Sequence, residues 1–181
     1  MESYAKFVRV LLTGLPRSGK TTAVQRVVAD FWGQAAGFYT REIRHHGTRV
    51  GFEIITLAGQ TAVLSHVDFP GPLRVGKYGV NLENLHQVAL PALVPAPGLD
   101  LIVVDEIGKM ECLSPRFIAV MENLWRAPVH ILATIAAKGG DYIQTVKQKP
   151  GIILLNINPQ NREEIPAKIL NLLWSSQRKS E

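Results

Sequence analysis

The amino-acid sequence predicts an α/β fold of three layers, a mostly parallel sheet with helices on both faces, carrying an antiparallel β-hairpin insertion. Three observations lead there. Short apolar runs at 7–13, 99–108, 128–135 and 151–158 are each followed by a stretch with helical spacing, and strands alternating with helices build parallel sheets buried on both sides. A glycine-rich turn stands directly behind the first run. Residues 37–66 instead alternate apolar with polar positions and break at His45-His46-Gly47 and Leu57-Ala58-Gly59-Gln60, the pattern of antiparallel hairpins.

Taken in order, residues 7–13 read as a strand because the run is short and β-branched. Residues 19–32 read as a helix, with Val24, Val27, Val28 and Phe31 on one face and Gln25, Arg26 and Asp30 outward. Beyond the hairpin region, residues 68–98 hold three Pro/Gly clusters around one short helical stretch at 81–90. This segment is expected to form loops beside the main sheet. The strand at 99–108 ends in two acids, and the helix at 114–125 starts with Ser114 as N-cap and Pro115 in its first position. Strands at 128–135 and 151–158 precede helices at 141–149 and 162–174. One domain spanning 1–181 is expected, since this length and 46% apolar content suffice for one sizeable core.

Composition narrows the setting. Cys112 is the single cysteine and no zinc-type spacing occurs, which fits a reducing, cytoplasmic environment. The N-terminal stretch lacks the features of a signal peptide, and no apolar run approaches the roughly twenty residues of a membrane span. A cytoplasmic monomer without membrane attachment is expected. The net charge of +5 attracts polyanions. That permits nucleic acid without indicating it, because stacking aromatics interleaved with Lys or Arg are missing; the loose basic cluster at 41–49 is the densest there is.

Chemistry concentrates at two places. Gly14-Leu15-Pro16-Arg17-Ser18-Gly19-Lys20-Thr21 fits G-x-x-x-x-G-K-[ST] and sits between a strand and a helix, the context that the motif requires. Such a loop turns backbone N–H groups and a helix N-terminus toward phosphate oxygens. Lys20 reaches the β- and γ-phosphates of a nucleoside triphosphate, the Thr21 hydroxyl ligates Mg²⁺ as cofactor, and Thr22 follows at the loop's edge. The second place is Leu101-Ile102-Val103-Val104-Asp105-Glu106. Asp105 at a strand tip is the expected second Mg²⁺ partner, through water, and Glu106 next to it is the expected base that activates a water. The alternative reading of Glu106 is a carboxylate that only caps the loop before Gly108.

Transition-state charge calls for a cation, and Arg17, Arg41, Arg44, Arg49, Arg74, Arg116 and Arg162 are all available. Sequence does not rank them, although Arg17 lies within the loop; Lys109 and Lys138 have the same status. Phe38, Tyr39 and Phe52 read as packing rather than as base-stacking rings. His66, His86 and His130 read as structural, and Cys112 as a small buried apolar residue.

The segments "GLPRSGKTT", "GFYTREIR", "GTRVGFEIITL", "VGKYGV", "DLIVVDEIGKME" and "LATI" occur in that order. Over residues 7–163 the chain resembles the thermophile-type and cancer-related P-loop nucleoside-triphosphatases. The resemblance implies a RecA-like fold and Mg²⁺-dependent hydrolysis of ATP, GTP and other nucleoside triphosphates. It also implies a nucleotide site made of Gly14 to Thr21 plus Val103, Val104, Asp105, Glu106, Ile107, Gly108 and Lys109, with Lys20 and Glu106 catalytic. The chain departs from the family's Thr-x-x-Asn-Arg by having Asn158 ahead of Asn161 and Arg162. Two other expectations stay open beside hydrolysis: a kinase whose acceptor site lies in 68–98, and a nucleotide-switched nucleic-acid-binding module.

Overall fold

The computed structural model describes residues 7–177, so the ends of the expected 1–181 domain lie outside the described residues. One nine-stranded sheet runs through the molecule. Its strands are β1 (Arg9–Gly14), β2 (Ala35–His45), β3 (Thr48–Thr56), β4 (Thr61–His66), β5 (Arg74–Val75), β6 (Tyr78–Val80), β7 (Leu101–Ile107), β8 (His130–Ala136) and β9 (Ile152–Asn156). Their order is β5-β6-β4-β3-β2-β7-β8-β1-β9. The five from β2 to β9 in that order are parallel, and the five from β5 to β2 pair antiparallel.

The apolar runs become strands because successive side chains go to opposite faces and both faces are covered. Along β7, Ile102 and Val104 enter one core while Leu101 and Val103 enter the other. The second core is closed by α1 (Lys20–Asp30) and α5 (Ile165–Gln177), through Val24, Val27, Ile169 and Leu173. The first is closed by α3 (Pro115–Leu124) and α4 (Asp141–Lys147), through Phe117, Met121, Ile143 and Val146. Between α1 and α3 in sequence lies α2 (Leu82–Asn84), continued by a π-helical turn, Leu85–Ala89, and a 3-10 turn, Pro91–Leu93. Ser114 caps α3 as expected, its hydroxyl accepting the Phe117 N–H at 3.1 Å.

Strand β2 joins the two halves of the sheet. Ala35–Phe38 run parallel to Leu101–Val104, and from Phe38 onward the strand pairs antiparallel with β3. At the seam Gly37 has φ 124°, a conformation that favours glycine. A Cβ there would collide with the backbone of Val103.

Residues 68–98 correct one expectation. They are not loops beside the sheet: β5 and β6 extend the sheet itself, and Leu85, Ala89, Leu90 and Leu93 pack into the first core with Ile102 and Val104. Strands of two and three residues are too short to show a period, and only the pairing of β6 with β4 and of β5 with β6 makes them strands. The hairpin is likewise a continuation of β2 and not an appendage.

Candidate active site

The parallel strands β1, β7, β8 and β9 end on the same side, which is where open parallel sheets offer ligand crevices. Gly14, the last residue of β1, stands level with Ala136 at the end of β8. The loop behind it is tightened by a hydrogen bond from Ser18 N–H to Leu15 O at 3.1 Å. Arg17 and Gly19 both have positive φ, 64° and 101°. Helix α1 then starts at Lys20 with no acidic residue in its first turn, so its positive end is left uncompensated. The Lys20 ammonium donates to Gly14 O at 3.0 Å and Leu15 O at 3.2 Å, lying across the loop.

Asp105 faces the same point from β7. It is 1% exposed; its Oδ2 accepts the Thr21 hydroxyl at 2.7 Å, and its Oδ1 accepts the Thr134 hydroxyl from β8. Burial pushes its carboxyl up, against the two hydroxyl hydrogen bonds and the charge of Lys20. Burial of Tyr39 itself, with Asp105 nearby, pushes its phenol up to about 12. The Asp105–Glu106 peptide is cis, and beyond Val104 the pairing of β7 with β8 shifts register.

Glu106 opens into a cavity of about 1100 Å³ that also takes in Lys20, Thr21, Lys109 and Lys138. Its carboxyl is held above the usual range by burial and by Asp105, opposed by Lys20. Glu111 completes a group of three acids: it is 4% exposed, and burial first, then Glu106, raise its pKa to about 8. The cavity's far wall comes from the antiparallel half. Arg49 lies 5.0 Å from the Phe52 ring centroid, donates to the Tyr78 hydroxyl at 2.9 Å and pairs with Glu42 at 2.8 Å.

The structure gathers Gly14, Leu15, Pro16, Arg17, Gly19, Lys20, Thr21, Thr22, Glu106 and Lys109 around the cavity, while Asp105 meets it through Thr21. Val103, Val104 and Ile107 of the expected nucleotide-binding segment are fully buried and pack into the two cores, so their side chains hold β7 in place and do not line the cavity. Ser18 is buried beneath Gly14, and Gly108 is covered by Glu106 and Glu111.

Among the arginines, Arg17, Arg41 and Arg49 line the cavity, and the Arg162 chain lies against Gly19. Arg44 pairs with Glu42, Arg74 donates to the turn carbonyls of Phe69, Val67 and Lys77, and Arg116 meets His86. Phe38 is core and Tyr39 packs on the second core; Phe52 alone of the three rings reaches the cavity. His130 is structural as expected, accepting Val8 N–H at 2.9 Å, and the Cys112 thiol is pushed up to about 12 by burial. Asn158 spends its side chain on its own turn, accepting the Gln160 and Asn161 N–H groups.

Sequence reasoning missed Thr134, Tyr78 and Glu111. Each stands in a segment quoted for the family resemblance, "LATI", "VGKYGV" and "DEIGKME". Nothing local marks them, because their partners lie on other strands or across a turn.

A family model described as NTPase matches residues 9–170. The chain belongs to this nucleoside-triphosphatase family. A nucleoside-triphosphatase THEP1 of Thermotoga petrophila is 39% identical over 167 residues, 92% of this chain and 93% of that one. A human cancer-related nucleoside-triphosphatase is 36% identical over 186 residues, 93% of this chain and 98% of its own. Among solved structures, the crystal structure of THEP1 from Aquifex aeolicus superposes with a TM-score of 0.85 at 34% identity, covering 92% of this chain and 99% of that one. The solution structure of the human protein gives 0.79 at 33%, covering 93% and 98%. The P-loop NTPase type of α/β fold follows from these neighbours. Among the described residues no helix is long and apolar enough to cross a membrane.

Proposed function

We propose that the chain hydrolyses nucleoside 5′-triphosphates, ATP and GTP among them, to the diphosphate and phosphate with Mg²⁺ as cofactor. One observation carries the reading: Glu106, whose carboxylate is unpaired among the described residues, opens into the cavity one residue beyond Asp105, which accepts a hydrogen bond from Thr21. A hydroxyl beside a carboxylate suits Mg²⁺, a hard cation that takes oxygen ligands and keeps several waters. Among the described residues no three acids, histidines or cysteines form a metal cage, so the remaining ligands would be phosphate oxygens and water. When bound, Mg²⁺ neutralises charge on the β- and γ-phosphates.

The chain's own residues do the rest. Lys20 leaves the carbonyls of Gly14 and Leu15 for the phosphates, and the loop amides and the start of α1 hold the oxygens. Glu106 takes a proton from a water aligned with the γ-phosphorus. The water oxygen bonds to phosphorus, the bond to the β–γ bridging oxygen breaks, and the diphosphate leaves with that electron pair. Raised basicity suits Glu106 to this task.

The test needs purified protein, ATP and Mg²⁺ with no second substrate. Phosphate release is expected, and Glu106→Gln should cut it by at least about a hundredfold while ATP still binds. Undiminished release from that variant removes Glu106 as base, and phosphate appearing only on an added acceptor replaces hydrolysis by transfer.

A further inference from the structure

Glu111 has no part in the binding or proton transfer proposed above, yet it is a carboxylate only 4% exposed, a costly placement. It opens the 3-10 turn Glu111–Leu113, which leads directly into the Ser114 cap of α3. Its Oε2 accepts the Gly108 N–H at 3.1 Å, and the Gly108 carbonyl accepts Cys112 N–H at 3.1 Å. Both polar groups of Gly108 are thereby tied to the turn ahead of α3.

Glu106 is seated against that tied glycine. A Cβ placed on Gly108 would come within 2.8 Å of both Glu106 Oε1 and Glu111 Oε2, so the two carboxylates flank one bare Cα, within twice that distance of each other. The space exists because residue 108 has no side chain. We infer that Glu111 is a positioning residue for Glu106: by holding the Gly108 amide it fixes the bare Cα surface that sets where the Glu106 carboxylate lies in the cavity. The inference rests on Glu106 being the base. Misplacing a base by about an ångström costs up to a hundredfold in rate, whereas the phosphate loop, on β1 and α1, is untouched by the Gly108 turn.

The experiment measures kcat and KM for ATP with Mg²⁺ in four proteins, each also made in the Glu106→Gln background and followed there by single turnover. They are the unmodified chain, Glu111→Gln, Glu111→Met and Gly108→Ala. Glu111→Met fills the same space without an acceptor, and is expected to lower kcat by about ten- to a hundredfold with KM within about threefold. Glu111→Gln keeps an oxygen for the Gly108 N–H and is expected to restore most of kcat. Gly108→Ala pushes on Glu106 from the other side and is expected to match Glu111→Met, which keeps the test decisive if the methionine variant does not fold. In the Glu106→Gln background none of the three should lower the rate further. Full kcat in both Glu111→Met and Gly108→Ala, a loss confined to KM, failure of glutamine to rescue, or losses that multiply with Glu106→Gln each overturn the inference. Undiminished turnover in Glu106→Gln alone overturns the base assignment, a result visible before any change at Glu111.

Discussion

The two halves of the sheet supply the cavity with different things. From the parallel half come strand ends: the loop after β1, Asp105 and Glu106 at the end of β7, Lys138 after β8. These strands are buried on both faces, so what they offer the cavity sits where the chain leaves the core, as backbone amides and one helix start. From the antiparallel half comes a wall of side chains, with Arg41 paired to Glu53 and Arg49 held by Glu42, Phe52 and Tyr78. On the proposed function the first half would hold and cleave the triphosphate, and the second half supplies the wall that faces it.

That division can be broken, and the largest effect should come from the parallel half. Lys20→Ala is expected to lower kcat/KM for ATP by about two to three orders of magnitude, measured as phosphate release; a loss below tenfold would mean that the loop amides suffice. At the seam, Gly37→Ala sets a Cβ against the Val103 backbone at a positive φ. It should destabilise the chain by roughly 3 kcal/mol, seen as a melting temperature lower by about 6–12 °C. An unchanged melting temperature would show that the two halves shift freely against each other.

In the antiparallel wall, Arg49→Ala removes half-exposed contacts with Glu42 and Tyr78. Stability should change by less than about 1 kcal/mol and kcat by less than about threefold. A loss as large as that of Lys20→Ala would move the phosphate site across the cavity and erase the contrast. A separate effect concerns pH. The folded chain keeps the Glu111 proton up to about pH 8 against an ordinary value of 4.5, so between these the folded state binds more protons than the unfolded one. This contribution to stability is complete below about pH 4.5 and is lost as pH rises toward about 8. Thermal melts across that window should show the decline, and a flatter profile for Glu111→Gln; an equal slope in both proteins would assign the decline to other groups.

What could be read from residues alone follows the range of the interactions. The loop from Gly14 to Thr21 is contiguous and its context is two neighbouring elements, so motif, strand and helix were legible together. Asp105 and Glu106 were legible because an apolar run points at them. Tyr78 was not, since β5 and β6 become strands only by pairing with each other and with β4. Nor was Thr134, whose hydroxyl gains a role only when β8 lies beside β7. For a related reason Val103, Val104 and Ile107 share a strand with the acids but send their side chains into the cores, and only register tells a lining residue from a supporting one.

By itself the sequence determined the fold class, the glycine-rich turn between β1 and α1 and the place of the two acids at the end of β7, because each is written in local spacing and residue type. The tertiary structure alone decided that the hairpin and residues 74–80 belong to one continuous sheet, that Arg41, Arg49 and Phe52 face the loop, and that Glu111 reaches Gly108 beneath Glu106. Those contacts join positions whose separation along the chain carries no period, and they come into being only when strand order and register are set.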